Sequence, residues 1–188
     1  MATRWKKARV IASSGLVVGA VWGSSMALFT DTADSGTATF TSGTVDITAT
    51  DASTSLSVAD MAPGDAATAP ITIGNAGTLD LRYAMTSAAT GDAALRAALT
   101  VTVKTGVTTC SNAGFSADGT QIATGDLDTV AFGDSAAGAQ SGDRSLAAGA
   151  SEVLCVQVTL PTGTSGTAPQ GKTASATFSF AAEQTKNN

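Results

Sequence analysis

Val153-Leu154-Cys155-Val156-Gln157-Val158-Thr159-Leu160 is the stretch that decides the fold. Successive side chains of a β-strand point to opposite faces of the sheet, so residues two apart share a face. Leu154, Val156, Val158 and Leu160 therefore look one way, and Val153, Cys155, Gln157 and Thr159 the other. The first set is uniformly aliphatic and the second is mixed. That predicts a strand with one side against a core.

The same period of two recurs on either side. Toward the C-terminus, Thr173 to Ala181 places Ala174, Ala176, Phe178 and Phe180 on one face. Toward the N-terminus, Thr44 to Thr50, Ala69 to Ile73, Leu79 to Met85 and Leu99 to Val103 read as strands, with Gly74-Asn75-Ala76-Gly77 as a turn. A single helix is expected over Ala93 to Ala98, capped by Asp92. Between about Gly106 and Gly149 the pattern dissolves into Gly, Asp, Ser and Ala, anchored by Ile122, Leu127, Val130 and Phe132. This region reads as long loops with one or two short strands. Many short strands and one short helix predict an all-β, jelly-roll-like two-sheet sandwich. Aromatic residues are 5% and charged residues 13% of the chain, so small side chains on closely apposed strands must do the packing.

The N-terminus reads differently. Four basic residues (Arg4, Lys6, Lys7, Arg9) precede an apolar run from Val10, and Ser25 and Ala27 occupy the −3 and −1 positions of a small-residue cleavage site. Residues 1–27 are expected to be a helical signal peptide cut between Ala27 and Leu28. The domain would then span 28–183, beginning with a free segment 28–36, and a polar tail 184–188 would follow. A retained anchor is the alternative, since Val10 to Phe29 has the length of a bilayer span and Gly15, Gly19 and Gly23 form a helix-packing pattern. Serines 13, 14, 24 and 25 dilute that run and favour cleavage. Such a chain would be secreted or displayed at the cell surface, with signal peptidase as a transient partner and no membrane contact afterwards.

Charge narrows the partners. Loss of residues 1–27 removes four of the ten basic side chains and none of the fifteen acidic ones, leaving a net charge of −9. A surface of that sign repels nucleic acid and keeps an exported protein soluble.

In an exported protein the two cysteines, Cys110 and Cys155, are most simply a disulfide. Closing a loop of about 46 residues would contribute roughly 4 kcal/mol by loss of unfolded-chain entropy. Two buried free thiols are the alternative.

Catalytic and cofactor signatures do not appear. The chain has no histidine. That removes H-E-x-x-H zinc proteases and His-dependent hydrolases, and there is no G-x-S-x-G elbow, P-loop or dinucleotide fingerprint. No catalytic, cofactor-binding or metal-binding residue is expected. Asp118, Asp126, Asp128 and Asp134 offer oxygen ligands of the kind Ca²⁺ takes, but without EF-hand spacing they read as a solvated acidic loop.

Three stretches together resemble the TasA/camelysin family of bacterial biofilm-matrix and surface proteins. The first is Ala27-Leu28-Phe29-Thr30-Asp31, leading into Ala38-Thr39-Phe40-Thr41-Ser42-Gly43-Thr44-Val45-Asp46-Ile47. The second is Met61-Ala62-Pro63-Gly64-Asp65, followed by Ile71-Thr72-Ile73-Gly74-Asn75-Ala76-Gly77-Thr78-Leu79. The third is Phe178-Ser179-Phe180-Ala181-Ala182-Glu183-Gln184-Thr185. The resemblance implies export by a dedicated signal peptidase, a jelly-roll sandwich, and assembly of copies of the chain into extracellular fibres. It also implies that the freshly cut segment, with Leu28, Phe29, Thr30 and Asp31 at its start, adds as a strand to a neighbouring subunit. A monomeric surface binding module, such as an adhesin, is the alternative function. A camelysin-type peptidase ranks last, because nothing in the sequence supports the chemistry.

Overall fold

The computed structural model describes residues 42–50, 55–167 and 169–186. Along the described chain run β1 (Ile47–Thr50), β2 (Ser55–Ala59), β3 (Ala66–Asn75), β4 (Leu81–Gly91), α1 (Ala93–Ala98) and β5 (Thr100–Thr105). Then come α2 (Asn112–Ala117), β6 (Thr120–Asp126), β7 (Ala131–Phe132), β8 (Arg144–Leu146), β9 (Ser151–Thr159) and β10 (Thr173–Gln184). One sheet has the order β1-β3-β9-β5-β6 and the other β2-β10-β4-β7, with β8 also paired to β4. All pairings are antiparallel.

Set β1 and β8 aside and two four-stranded sheets remain, β3-β9-β5-β6 and β2-β10-β4-β7. Each connection between consecutive strands of this set changes sheet, except β5 to β6. That is the winding of a jelly roll, the expected class. Only β5 and β6 are joined as sequential neighbours, so the other ladders close over long sequence separations.

The core lies between the sheets. Ile71 and Ile73 of β3, Val101 and Val103 of β5, and Leu154, Val156 and Val158 of β9 face Leu81, Tyr83 and Met85 of β4 and Ala174, Ala176 and Phe178 of β10. The alternation expected for β9 and β10 is the observed one. Val153 on the outward phase is exposed, and Leu154 and Val158 are fully enclosed. Each large aliphatic or aromatic side chain buried in this way is worth about 1.5–3 kcal/mol.

Helix α1 starts where expected. The Asp92 carboxylate accepts from the Ala94 and Leu95 amides, and Leu95 seats the helix on the core. The expectation of a single helix needs correction, because α2 lies in the stretch read as loop. Gly114 and Ser116 weaken its helical signal, but Ser111 caps it through the Gly114 amide and Phe115 is buried. The same stretch holds three strands, β6, β7 and β8, where one or two were expected. β7 and β8 are two and three residues long, too short to show a period. The strand expected over Thr44 to Thr50 pairs with β3 only from Ile47. Thr44 and Asp46 instead bind the β3–β4 crossover, with Thr44 O accepting from Thr78 and Leu79 and Asp46 O from Ala76.

Candidate assembly edge

Strand β10 is twelve residues long, and β4 pairs with it from Ala174 to Gln184. On its other side β2 pairs only with Thr173 to Thr177. From Phe178 to Ala182, no strand among the described residues pairs with that side of β10. An unpaired ladder edge presents N–H and C=O groups to whatever extended chain comes alongside. Phe178 is buried and Phe180 half-buried, so an added strand would lie against the rim of an apolar core. Among the described residues, the edge of the other sheet on this flank is β1, four residues long, whose Ile47 and Ala49 pack partly against the core. The residues expected to donate a strand, Leu28, Phe29, Thr30 and Asp31, and the cleavage pair Ala27 and Leu28, lie outside the described residues. So does Phe40.

Two crossovers hold this flank in shape. At the first, Pro63 and Gly64 turn the chain between β2 and β3, and Gly64 has φ +100°, where glycine alone is unstrained. The Asp65 carboxylate accepts from the Ala62 amide at 2.8 Å, Gly64 N–H donates to Leu160 O at 2.7 Å, and Leu160 N–H donates to Asp65 O at 3.0 Å. The turn expected from Met61 to Asp65 is therefore tied to the end of β9.

At the second crossover Asn75 is 2% exposed. Its Nδ2 donates to the carbonyls of Leu79 (2.8 Å), Ala147 (3.1 Å) and Leu146 (3.2 Å), and its Oδ1 accepts from Gly77 N–H at 3.0 Å. One amide thus binds the β3–β4 link to the β8–β9 link. A Cβ on Gly77 would stand 2.3 Å from Thr44 O, so only glycine lets residues 44–46 run along this crossover.

A charged cluster clips the two sheets together farther along. Tyr83 of β4, 1% exposed, donates its hydroxyl to Glu152 Oε1 at 2.7 Å. Arg144 of β8 donates through Nε to the same oxygen at 3.0 Å and through Nη2 to Oε2, and Thr105 of β5 donates to Oε2 at 3.3 Å. Burial pushes the Tyr83 hydroxyl far above its ordinary value, and its bond to the Glu152 carboxylate adds to this. For Glu152, burial pulls its carboxyl upward, but the hydrogen bonds from Arg144, Tyr83 and Thr105 and the charge of Arg144 together outweigh it and hold the group below the ordinary range. The Arg144 guanidinium is raised in turn by its bond to Glu152. Sequence reading missed this cluster, although one signal was present. Glu152 stands in phase with Leu154, Val156 and Val158, a charge on the inward side of a strand.

Cys110 and Cys155 are bonded, with their Cα atoms 5.5 Å apart. The four aspartates considered as Ca²⁺ ligands go separate ways. Asp118 accepts from the Thr108 amide, Asp128 pairs with Arg96, and Asp134 accepts from the Ala136 amide. Asp126 ends β6, where its carbonyl accepts from Thr129 and Val130. Among the described residues no three His, Cys, Asp or Glu side chains gather to hold a metal, and no helix is long and apolar enough to cross a membrane.

Residues 4–188 match the family described as camelysin metallo-endopeptidase. The chain belongs to the camelysin family. No curated protein matches it. The peptidase in the family's description calls for a metal, and a catalytic zinc takes three protein ligands around an open position. This camelysin-family chain has no histidine, its cysteines are bonded to each other, and no three carboxylates converge among the described residues. The described residues do not fit such a site.

Proposed function

We propose that this camelysin-family protein is an exported structural protein, the subunit of an extracellular fibre or matrix, and not an enzyme. Copies of the chain assemble by donation of the N-terminal segment, beginning Leu28-Phe29-Thr30-Asp31, to a neighbouring subunit. The observation that carries this reading is the edge of β10 from Phe178 to Ala182, left without a strand partner among the described residues. A strand added there makes backbone hydrogen bonds and covers Phe180. Because donor and acceptor are different parts of the surface, the contact is head-to-tail and does not close, so it grows filaments. Signal peptidase would free the donor, which makes cleavage the step that permits assembly outside the cell.

Deletion of residues 28–34 tests the reading. The deleted protein should keep the circular dichroism of the sandwich and fail to pellet, whereas the mature protein grows and sediments with time. Fibres that form equally well without the segment refute strand donation. A mature protein that stays monomeric at every concentration favours the second reading, a surface binding module. That reading draws on a groove of about 660 Å³ beside β2 and β3, lined by Asp60, Asp65, Asn112, Gln157 and Thr159, a volume that suits a small ligand.

A further inference from the structure

Residues 106–119 leave the end of β5, cross the outer face of the first sheet and return to begin β6. Cys155 and Lys104 stand on that outer face as cross-strand partners. The excursion covers both: Cys110 is bonded to Cys155, and Lys104 Nζ donates to the carbonyls of Phe115 (2.7 Å) and Asp118 (3.2 Å) with the Phe115 ring 4.7 Å away. Asn112 reaches β3, donating to Ala66 O at 2.8 Å and accepting from the Thr68 hydroxyl at 2.5 Å. Glycines with positive φ stand at both roots, Gly106 at +71° and Gly119 at +84°.

Phe115 is buried, but it is not part of the cluster that fills the space between the sheets. The excursion is therefore a second layer laid on a sandwich that is complete beneath it. Its noncovalent hold is one aromatic ring, one lysine and a few hydrogen bonds that are exposed or half-buried. Bonds of that kind contribute little each, and the conformational entropy of ordering residues 106 to 119 opposes them. The disulfide adds the one covalent tie between this excursion and the sheet.

We propose that residues 106–119 form a disulfide-locked strap, which a dithiol reductant releases from the outer face of the first sheet while the sandwich stays folded. Cys155 is 1% exposed and Cys110 is half-buried, so Cys110 Sγ is the sulfur open to attack. A thiolate of the dithiol bonds to it and expels the Cys155 thiolate, which takes up a proton. The second thiol of the reductant then displaces Cys110, leaving two protein thiols and an oxidised, cyclic reductant. Release also removes Asn112 and Ser116, which form one wall of the 660 Å³ groove. The groove would thus exist in oxidising surroundings and be lost in reducing ones.

Dithiothreitol under native conditions, with thiol titration and hydrogen exchange read by mass spectrometry, tests the proposal. Two thiols should appear, exchange in 106–119 should rise by about tenfold or more, and β9 and β10 should stay protected over the same labelling time. Cys110→Ser should reproduce the open strap without reductant. Absence of titratable thiols, a strap that stays protected after reduction, or loss of protection throughout β9 and β10 would each overturn it. The reductant arm decides the matter if the variant does not fold.

Discussion

Asn75→Ala should be among the most damaging single truncations in this protein, and the structure says by how much. The wild-type amide donates two hydrogens among three carbonyls and accepts one from Gly77, all at a site 2% exposed. Alanine keeps the Cβ and leaves the carbonyls of Leu79, Leu146 and Ala147 and the Gly77 amide without that partner. Three full-strength bonds at about 1 kcal/mol each, in a place where the orphaned groups reach little water, give a loss of about 3 kcal/mol. Asn75→Asp separates the two halves of the interaction. It keeps the acceptor for Gly77 but turns a donor into a buried negative oxygen facing three carbonyls, so it should cost more than alanine.

Equilibrium urea unfolding by circular dichroism measures both. With slopes of roughly 1–3 kcal/mol/M, the alanine variant should shift the midpoint down by about 1–3 M at unchanged slope. A shift under about 0.3 M would mean that the crossover holds without Asn75. An aspartate variant as stable as the alanine one would mean that water reaches the site. Either result would leave the Asn-Ala-Gly-Thr-Leu stretch without its physical reason.

Glu152 makes stability depend on acid. Its folded carboxyl is held below the ordinary value of 4.5, so the cluster contributes fully above that value and the contribution is lost as pH falls through the lower, folded one. Unfolding midpoints of wild type and Glu152→Gln should therefore converge on acidification, and a constant gap would show that Glu152 is not the group responsible. Tyr83→Phe should cost about 1–2 kcal/mol near neutral pH, by removing one donor from a buried carboxylate; a neutral substitution would show that Arg144 and Thr105 suffice. At the other end of the chain, N-terminal sequencing of exported protein should begin Leu-Phe-Thr-Asp, and recovery of material that still carries Met1 would favour the anchored alternative.

What could be read from the sequence depended on whether an element's stability is local. β9 and β10 announce themselves because each has one face in the core for eight residues or more, so the burial pattern is written along the strand. α1 does so through Asp92 and Leu95. α2 does not, because its support comes from elsewhere: a disulfide to β9, a lysine on β5, and Ala66 and Thr68 on β3. β7 and β8 exist because β4 offers them an edge, at Met85–Thr86 and Leu81–Tyr83. The Tyr83–Glu152–Arg144 cluster brings Tyr83 to a carboxylate 69 residues along the chain, so no short window of sequence contains it. The edge of β10 was out of reach for a related reason. An edge is defined by where the neighbouring strand stops, and among the described residues β2 pairs with β10 only as far as Thr177.

The stretches that carry the family resemblance are, in their central part, crossovers. A jelly roll sends the chain from sheet to sheet at nearly every connection, and its strands tolerate any residues of the right polarity and size. A crossover is less forgiving, because its backbone polar groups lie outside both ladders and must find partners where the chain turns. Asp65 meets that need for Ala62, and Asn75 for Gly77, Leu79, Leu146 and Ala147. Gly64 takes up a φ denied to other residues, and Gly77 leaves room for Thr44. The particular residues of Pro63-Gly64-Asp65 and Asn75-Ala76-Gly77 are thus explained by what they do for the winding. They place β3 between β1 and β9, on the flank where β2 pairs with β10 from Thr173 to Thr177.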